Sequence, residues 1–135
     1  MKLLTKNTDY AIQALLHLAQ QPGEFVSSSQ IAKTNYIPLM FIRRILQVLS
    51  GEGIVASREG ISGGVKLAKK PKDIRIIDLM RLFQGEVGIT ECMFRKKFCH
   101  NTKRCALRRH LKRIEDKLIQ ELHPLTLNDL VVIKK

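Results

Sequence analysis

Tryptophan is absent and tyrosine occurs twice; with five phenylalanines, aromatics make up only 5% of the 135 residues. That scarcity argues against a binder of single strands, which needs aromatic platforms for successive bases. No stretch approaches the roughly 18 apolar residues of a membrane span. The opening segment, Met1 to Asp9, is polar and lacks the apolar core of a secretory leader, so a cytosolic protein is expected. The strings GxxxxGK[ST], GxGxxG and HExxH are missing, which lowers the expectation of an enzyme. Acidic residues are in short supply. There are 12 Asp and Glu against 24 Lys and Arg, a formal charge of +12. Such a balance points to a polyanionic partner, nucleic acid or an anionic membrane surface.

Cysteine is also sparse, and its placement is uneven. All three cysteines, Cys92, Cys99 and Cys105, fall within one short window in a Cys-x6-Cys-x5-Cys pattern. An odd number in a reducing compartment does not read as a disulfide framework. The absence of Cys-x2-Cys disfavours a zinc ribbon or a thioredoxin-like motif. Thiolates are the usual ligands of iron–sulfur clusters, and free thiols without a cofactor are the simpler alternative. Nine basic residues and no acid lie between Arg95 and Arg113, a surrounding that favours anionic sulfur.

The rest of the chain is mainly helical in pattern. Thr8 to Gln20 has an apolar stripe at helical spacing and ends at Pro22-Gly23. Ser27 with Gln30 has the capping-box form and starts a short helix carrying Ile31 and Ala32 inward. Pro38 opens a third helix to about Ser50. Its Phe41, Ile42, Ile45, Val48 and Leu49 form the apolar face, with Met40, Arg43, Arg44 and Gln47 opposite. Ile54–Arg58 and Val65–Ala68 are strand candidates around a glycine-rich tip, and Ile76 to Gln84 is a fourth helix. A long helix from about Thr102 to Leu122 carries Leu107, Leu111, Ile114, Leu118 and Leu122 as a near-heptad seam. Thr126 with Asp129 resembles a capping box for a last turn.

Two short helices, a tight turn and a glycine-tipped hairpin have the layout of a winged helix-turn-helix. In such a layout Arg43, Arg44 and Gln47 face bases, since Arg pairs with guanine and Gln with adenine. Pro38, Leu39 and Met40 open the recognition helix, and Ser28 and Gln30 open the helix before it. Arg58, Ser62, Gly63, Gly64 and Lys66 form the wing and are candidate contacts to the backbone or minor groove of double-stranded DNA. Exposed arginines are common on helices, so each residue alone is weak evidence.

Several ordered segments carry a family resemblance over nearly the whole chain. They are Leu4-Thr5 with Thr8-Asp9-Tyr10-Ala11, Ile42-Arg43-Arg44-Ile45-Leu46 with Leu49, Gly53-Ile54-Val55, the Gly60/Gly63-Gly64 tip, and Ile74-Arg75-Ile76. The three cysteines and Leu127-Asn128-Asp129-Leu130 complete the set. Together they resemble the IscR/NsrR/CymR-type family of bacterial winged-helix transcriptional regulators, in its three-cysteine branch. The resemblance implies a mainly α, bacterial, cytoplasmic protein with a short β-hairpin wing and a long C-terminal dimerisation helix. It implies a DNA-binding domain over 1–85, a cysteine-bearing sensor loop over 86–101, and a dimerisation helix with a helical turn over 102–135. It implies a homodimer through Leu107–Leu122, acting as a repressor on an operator and responding to redox state, nitric oxide or iron–sulfur status.

The implied metal ligands are Cys92, Cys99 and Cys105. The histidine that fills the fourth place in the IscR type corresponds here to Arg108, which cannot ligate a metal. The NsrR type uses an aspartate from the partner subunit, and Asp9 matches it. A 4Fe-4S cluster is therefore expected over a 2Fe-2S cluster, with His100 and His110 as weaker fourth ligands. Asp9 as a simple helix-start residue is the competing reading. The family often places Arg directly before the first wing glycine; Glu59 holds that place here, and Arg58 precedes it. A metal-free thiol switch and an iron–sulfur carrier are the alternative functions.

Overall fold

The computed structural model describes residues 2–89 and 105–131. Three helices come first: α1 (Lys6–Ala19), α2 (Ser28–Asn35) and α3 (Leu39–Gly51). A hairpin of β1 (Val55–Arg58) and β2 (Gly64–Leu67) follows, then a 3-10 turn at Pro71–Asp73 and α4 (Ile76–Gln84). The chain ends in α5 (Ala106–Leu122) and the one-turn α6 (Leu127–Leu130). Cys92, Cys99 and His100 lie outside the described residues.

Local chemistry accounts for the helix starts. The Thr5 side chain accepts from Thr8 N–H and caps α1 two residues earlier than the apolar stripe suggests. The Ser27 hydroxyl accepts from Gln30 N–H at 3.1 Å and caps α2. Pro38 stands at the N-cap of α3, where its missing N–H removes no helical bond. At α6 both halves of the Thr126/Asp129 capping box are present. The expected face of α3 needs one correction. Ile42, Ile45, Leu46 and Leu49 are buried, whereas Val48 is exposed and Phe41 is half-buried. The buried set follows i, i+3, i+4, i+7, so Leu46 replaces Val48 on the stripe that meets α1 and α2.

α1 lies centrally and packs on α2, α3, α4 and β2. Leu15, Leu18, Ile31, Ile42, Leu49, Leu79 and Met80 are almost wholly buried around it. Each such side chain contributes about 1.5–3 kcal/mol relative to exposure. The hairpin is antiparallel, with Val55 opposite Leu67 and Arg58 opposite Gly64.

The C-terminal turn, grouped by sequence with the dimerisation helix, packs inside the winged module. Leu127 is fully buried in the same core. Its N–H donates to the Ile74 carbonyl at 2.8 Å, and Ile76 N–H donates to the Leu125 carbonyl at 3.0 Å. The chain thus leaves the module along α5 and returns to close it. Leu127→Ala should lower unfolding free energy by about 2–5 kcal/mol, read from urea unfolding.

His17 is buried at the end of α1. Its Nδ1 faces the Asn35 amide nitrogen at 3.3 Å, and the same amide donates to the Ile31 carbonyl at 2.8 Å. Nδ1 is therefore the acceptor, and Nε2 carries the proton with no partner among the described residues. Burial holds the His17 pKa below its ordinary 6.5. The unfolded chain then takes up a proton first as pH falls. Stability should be full above pH 6.5, decline below it, and level off once the folded imidazole titrates. Urea midpoints across that range, against His17→Gln, check this; the variant should lose that part of the pH dependence.

Candidate nucleic-acid interface and thiol site

The turn between α2 and α3 is made by Tyr36, whose backbone is left-handed at φ 55° and ψ 41°. A bulky residue there stores on the order of 1–3 kcal/mol, held by the packing of the flanking helices. The Tyr36 ring is almost fully exposed beside the start of α3. The outer face of α3 is as expected: Met40, Arg43, Arg44 and Gln47 are all exposed. Pro38 is exposed and Leu39 is half-buried.

Several of the predicted contact residues come together. Ser28, Arg43, Gln47 and Gly64 line one open depression between α2, α3 and the hairpin, beside Ser50 and Ser57. Gln30, Arg58, Ser62 and Gly63 line a second, with Ser27, Phe25 and the fully exposed Ile61. The two flank the start of α2, so helix and wing share one outer face. Met40 and Arg44 line neither depression and extend the face along the first turns of α3.

The glycine tip has an internal explanation. A Cβ on Gly63 would lie 2.3 Å from the Arg58 carbonyl oxygen, and one on Gly64 would lie 2.3 Å from that of Val26. Both glycines let the protein's own backbone close up, whatever else approaches them. One further pattern, Gly60-Ile61-Ser62-Gly63-Gly64, spells GxSxG and corrects the expectation that the chain carries no hydrolase string. A hydrolase places that serine on a strand-to-helix turn within reach of a histidine. Ser62 is instead exposed on a hairpin tip, and among the described residues no histidine lines its depression.

Of the candidate metal ligands, Cys105, Asp9 and His110 are described. Cys105 is half-buried at the N-cap of α5, and its sulfur accepts from Arg108 N–H at 3.4 Å. The helix end favours negative charge there. Arg108 Nε is buried and has no partner among the described residues. Asp9 is exposed and does not cap α1, because Thr5 does; its Oδ2 accepts from Gln13 Nε2 at 2.9 Å. His110 is exposed on α5. No group of three or more metal-ligating side chains occurs among the described residues.

Not all of the basic run on α5 is free to act on sulfur. Lys112 pairs with Asp116 at 3.1 Å and Glu115 at 3.2 Å. The Asp116 bond first, then Glu115, holds its ammonium above the usual lysine range. Glu115, which the sequence reading left aside, is buried and also accepts from Ile89 N–H at 3.2 Å. It fastens the segment after α4 to α5. Its only sequence signal is its register, four residues after Leu111 and three before Leu118.

Sequence comparison places this geometry. The sequence model of the Rrf2 family, described as iron-dependent transcriptional regulators, matches residues 4–132. The chain belongs to the Rrf2 family. It is 30% identical over 138 residues to an HTH-type, rrf2-like transcriptional regulator of Rhodobacter capsulatus, covering 96% of this chain and 92% of that protein. The solved structure of CymR, the global cysteine regulator of B. subtilis, superposes with a TM-score of 0.80 at 25% identity, covering 97% of each chain. IscR of T. potens superposes with a TM-score of 0.75 at 25% identity, covering 97% of this chain and 86% of that one. The winged helix-turn-helix expectation is borne out, and so is the family. The Rrf2 proteins are transcriptional regulators rather than enzymes. Among the described residues no helix is long and apolar enough to cross a membrane.

Proposed function

We propose that this Rrf2 protein is a dimeric repressor that binds a double-stranded operator through α3 and the wing and senses through its three cysteines. The observation that carries the reading is the single face made by Arg43, Gln47, Ser28 and Gly64, continued by Arg58 and Ser62. Arg43 and Gln47 supply fork and amide donors for base edges, and Lys72, exposed beyond the wing, contributes charge alone. Selection from a random duplex library yields the operator. Against it, Arg43→Ala should lose about 1–3 kcal/mol of discrimination between sequences. Lys72→Ala should weaken all sequences evenly and flatten the salt dependence. The same protein surviving Arg43→Ala with discrimination intact would remove α3 from the reading role.

A second copy covers the seam on α5. Leu107 and Ile114 are exposed, and Leu111 and Leu118 are half-buried. An open apolar stripe of this kind is what a two-fold partner helix buries.

Cys92, Cys99 and Cys105 would hold an iron–sulfur cluster, with Asp9 of the partner subunit as the fourth ligand in a 4Fe-4S site. Bound there, the group supplies redox chemistry and reactivity towards oxygen and nitric oxide. The residues present suit an anionic, thiolate-ligated group: a half-buried Cys105 at a helix start whose sulfur accepts from Arg108 N–H, and an Arg108 Nε buried with no partner among the described residues. Arg108 and Arg109 add positive charge, and Asp9 has no capping duty to hold it elsewhere. Asp9 is also well placed to influence DNA reading. Its neighbour Tyr10 packs edge-on against Phe41 of α3, with ring centroids 5.9 Å apart. Whatever fixes the start of α1 therefore fixes the recognition helix.

Anaerobically isolated protein should contain iron and absorb in the visible. Cys105→Ser should lose both, and Asp9→Ala should shorten the lifetime of the colour more than His110→Ala does. A colourless, iron-free protein whose DNA affinity changes with peroxide but not with chelators would instead establish the metal-free thiol switch.

A further inference from the structure

Phe25 sits where three outward-pointing side chains meet. Val26, its neighbour, is buried and bridges Val65, which is also buried. Successive side chains on extended backbone point to opposite faces, so Phe25 faces outward. By the same alternation Arg58 and Lys66 share the outer face of the hairpin, opposite Val55 and Val65. The Arg58 guanidinium lies 4.1 Å from the Phe25 ring centroid, and the Lys66 ammonium lies 4.9 Å from it. Arg58 Nη2 also donates to the Ser62 carbonyl at 2.8 Å, which ties the guanidinium across the wing tip. Two cations thus converge on one ring. Glu24 lines the same depression and Glu59 follows Arg58, yet neither forms an ion pair with Arg58 or Lys66 among the described residues.

Two like charges held side by side repel, and a ring face offsets only part of that. An anion placed between them reverses the sign. We propose that Phe25 is a positioning residue that presents Arg58 and Lys66 as a paired clamp for one phosphate group of the duplex backbone. The tether to Ser62 uses one guanidinium donor and leaves others for a phosphate oxygen. It also keeps Arg58 from extending into a groove. The wing of this protein is then a sequence-blind anchor, and discrimination is left to α3. This inference rests on the DNA-binding reading above.

The test is fluorescence anisotropy of the full-length protein on a random-sequence duplex of about three helical turns, over a salt series. Phe25→Leu keeps the apolar bulk and removes the ring face. It should weaken binding about five-fold at low salt and reduce the slope of log affinity against log salt by roughly one, the equivalent of one phosphate contact. Its melting temperature should match the wild type. Phe25→Tyr should restore both affinity and slope. In the Phe25→Leu background, Arg58→Gln should add less loss than it does alone. If Phe25→Leu lowers the melting temperature, the same coupling read between Arg58→Gln and Lys66→Gln decides the matter, since a clamp makes their effects non-additive. An unchanged slope in Phe25→Leu, a Phe25→Tyr variant as weak as Phe25→Leu, or additive arginine and lysine effects would overturn the clamp. Wild-type protein that binds no duplex at all would overturn the DNA reading itself, which separates the two failures.

Discussion

Two backbone hydrogen bonds join the α1–α2 connection to the hairpin: Val26 N–H to the Val65 carbonyl at 2.8 Å, and Val65 N–H to the Val26 carbonyl at 2.9 Å. Without them the wing would be a two-stranded ribbon, marginal in water by itself, held only by its packing on α1 and α3. With them, the wing, the Ser27 cap of α2 and the outer face of α3 are held in one frame. Gly64 is the condition for this bridge, because any side chain there would strike the Val26 carbonyl. The bridge buries Val26 and Val65, and by alternation it turns Phe25 and Lys66 to the outside. The composition of this outer face is therefore a consequence of which residues the bridge takes inward.

A second frame connects the start of the chain to the region before the cysteines. Gln84, at the end of α4, accepts from Thr8 Oγ1 at 2.7 Å and from Thr5 N–H at 3.1 Å. It donates to the Leu3 carbonyl at 2.9 Å. Beyond it, Glu115 fastens Ile89 to α5. On the other side of α1, Tyr10 and Phe41 share the Lys6 ammonium over their rings and join α1 to α3. Asp9 stands between these two attachments. From the Gln84 contacts to α3 the path runs through packed and hydrogen-bonded side chains rather than through a linker.

Much of this was legible in the chain. Caps at Ser27 and Thr126, the break at Pro22-Gly23 and the stop at Gly85 are local chemistry, and the structure keeps them. The exposed set Met40, Arg43, Arg44 and Gln47 followed from helical period alone. The same period places Leu46, four residues after Ile42, on the buried stripe and Val48 outside it. Glu115 was invisible. A carboxylate on a charged helix reads as solvated, and only the approach of the Ile89 N–H and Lys112 makes its burial tolerable. Nothing local in the sequence marks Phe25, because the two cations over its ring come from the hairpin more than thirty residues away.

By itself the sequence determined the order of elements, the excess of positive charge, the face of α3 that points outward and the end of α5 at Leu122. Each is set by interactions within a few residues, or by a simple count. The tertiary structure alone decided that Leu127 closes the core of the winged module, that Gln84 holds the Thr5–Thr8 turn 76–79 residues away, and that Arg58 and Lys66 meet on Phe25. Those contacts join segments far apart in the chain. No local propensity encodes them; they exist because the packing of α1 against its neighbours brings the segments to the same place.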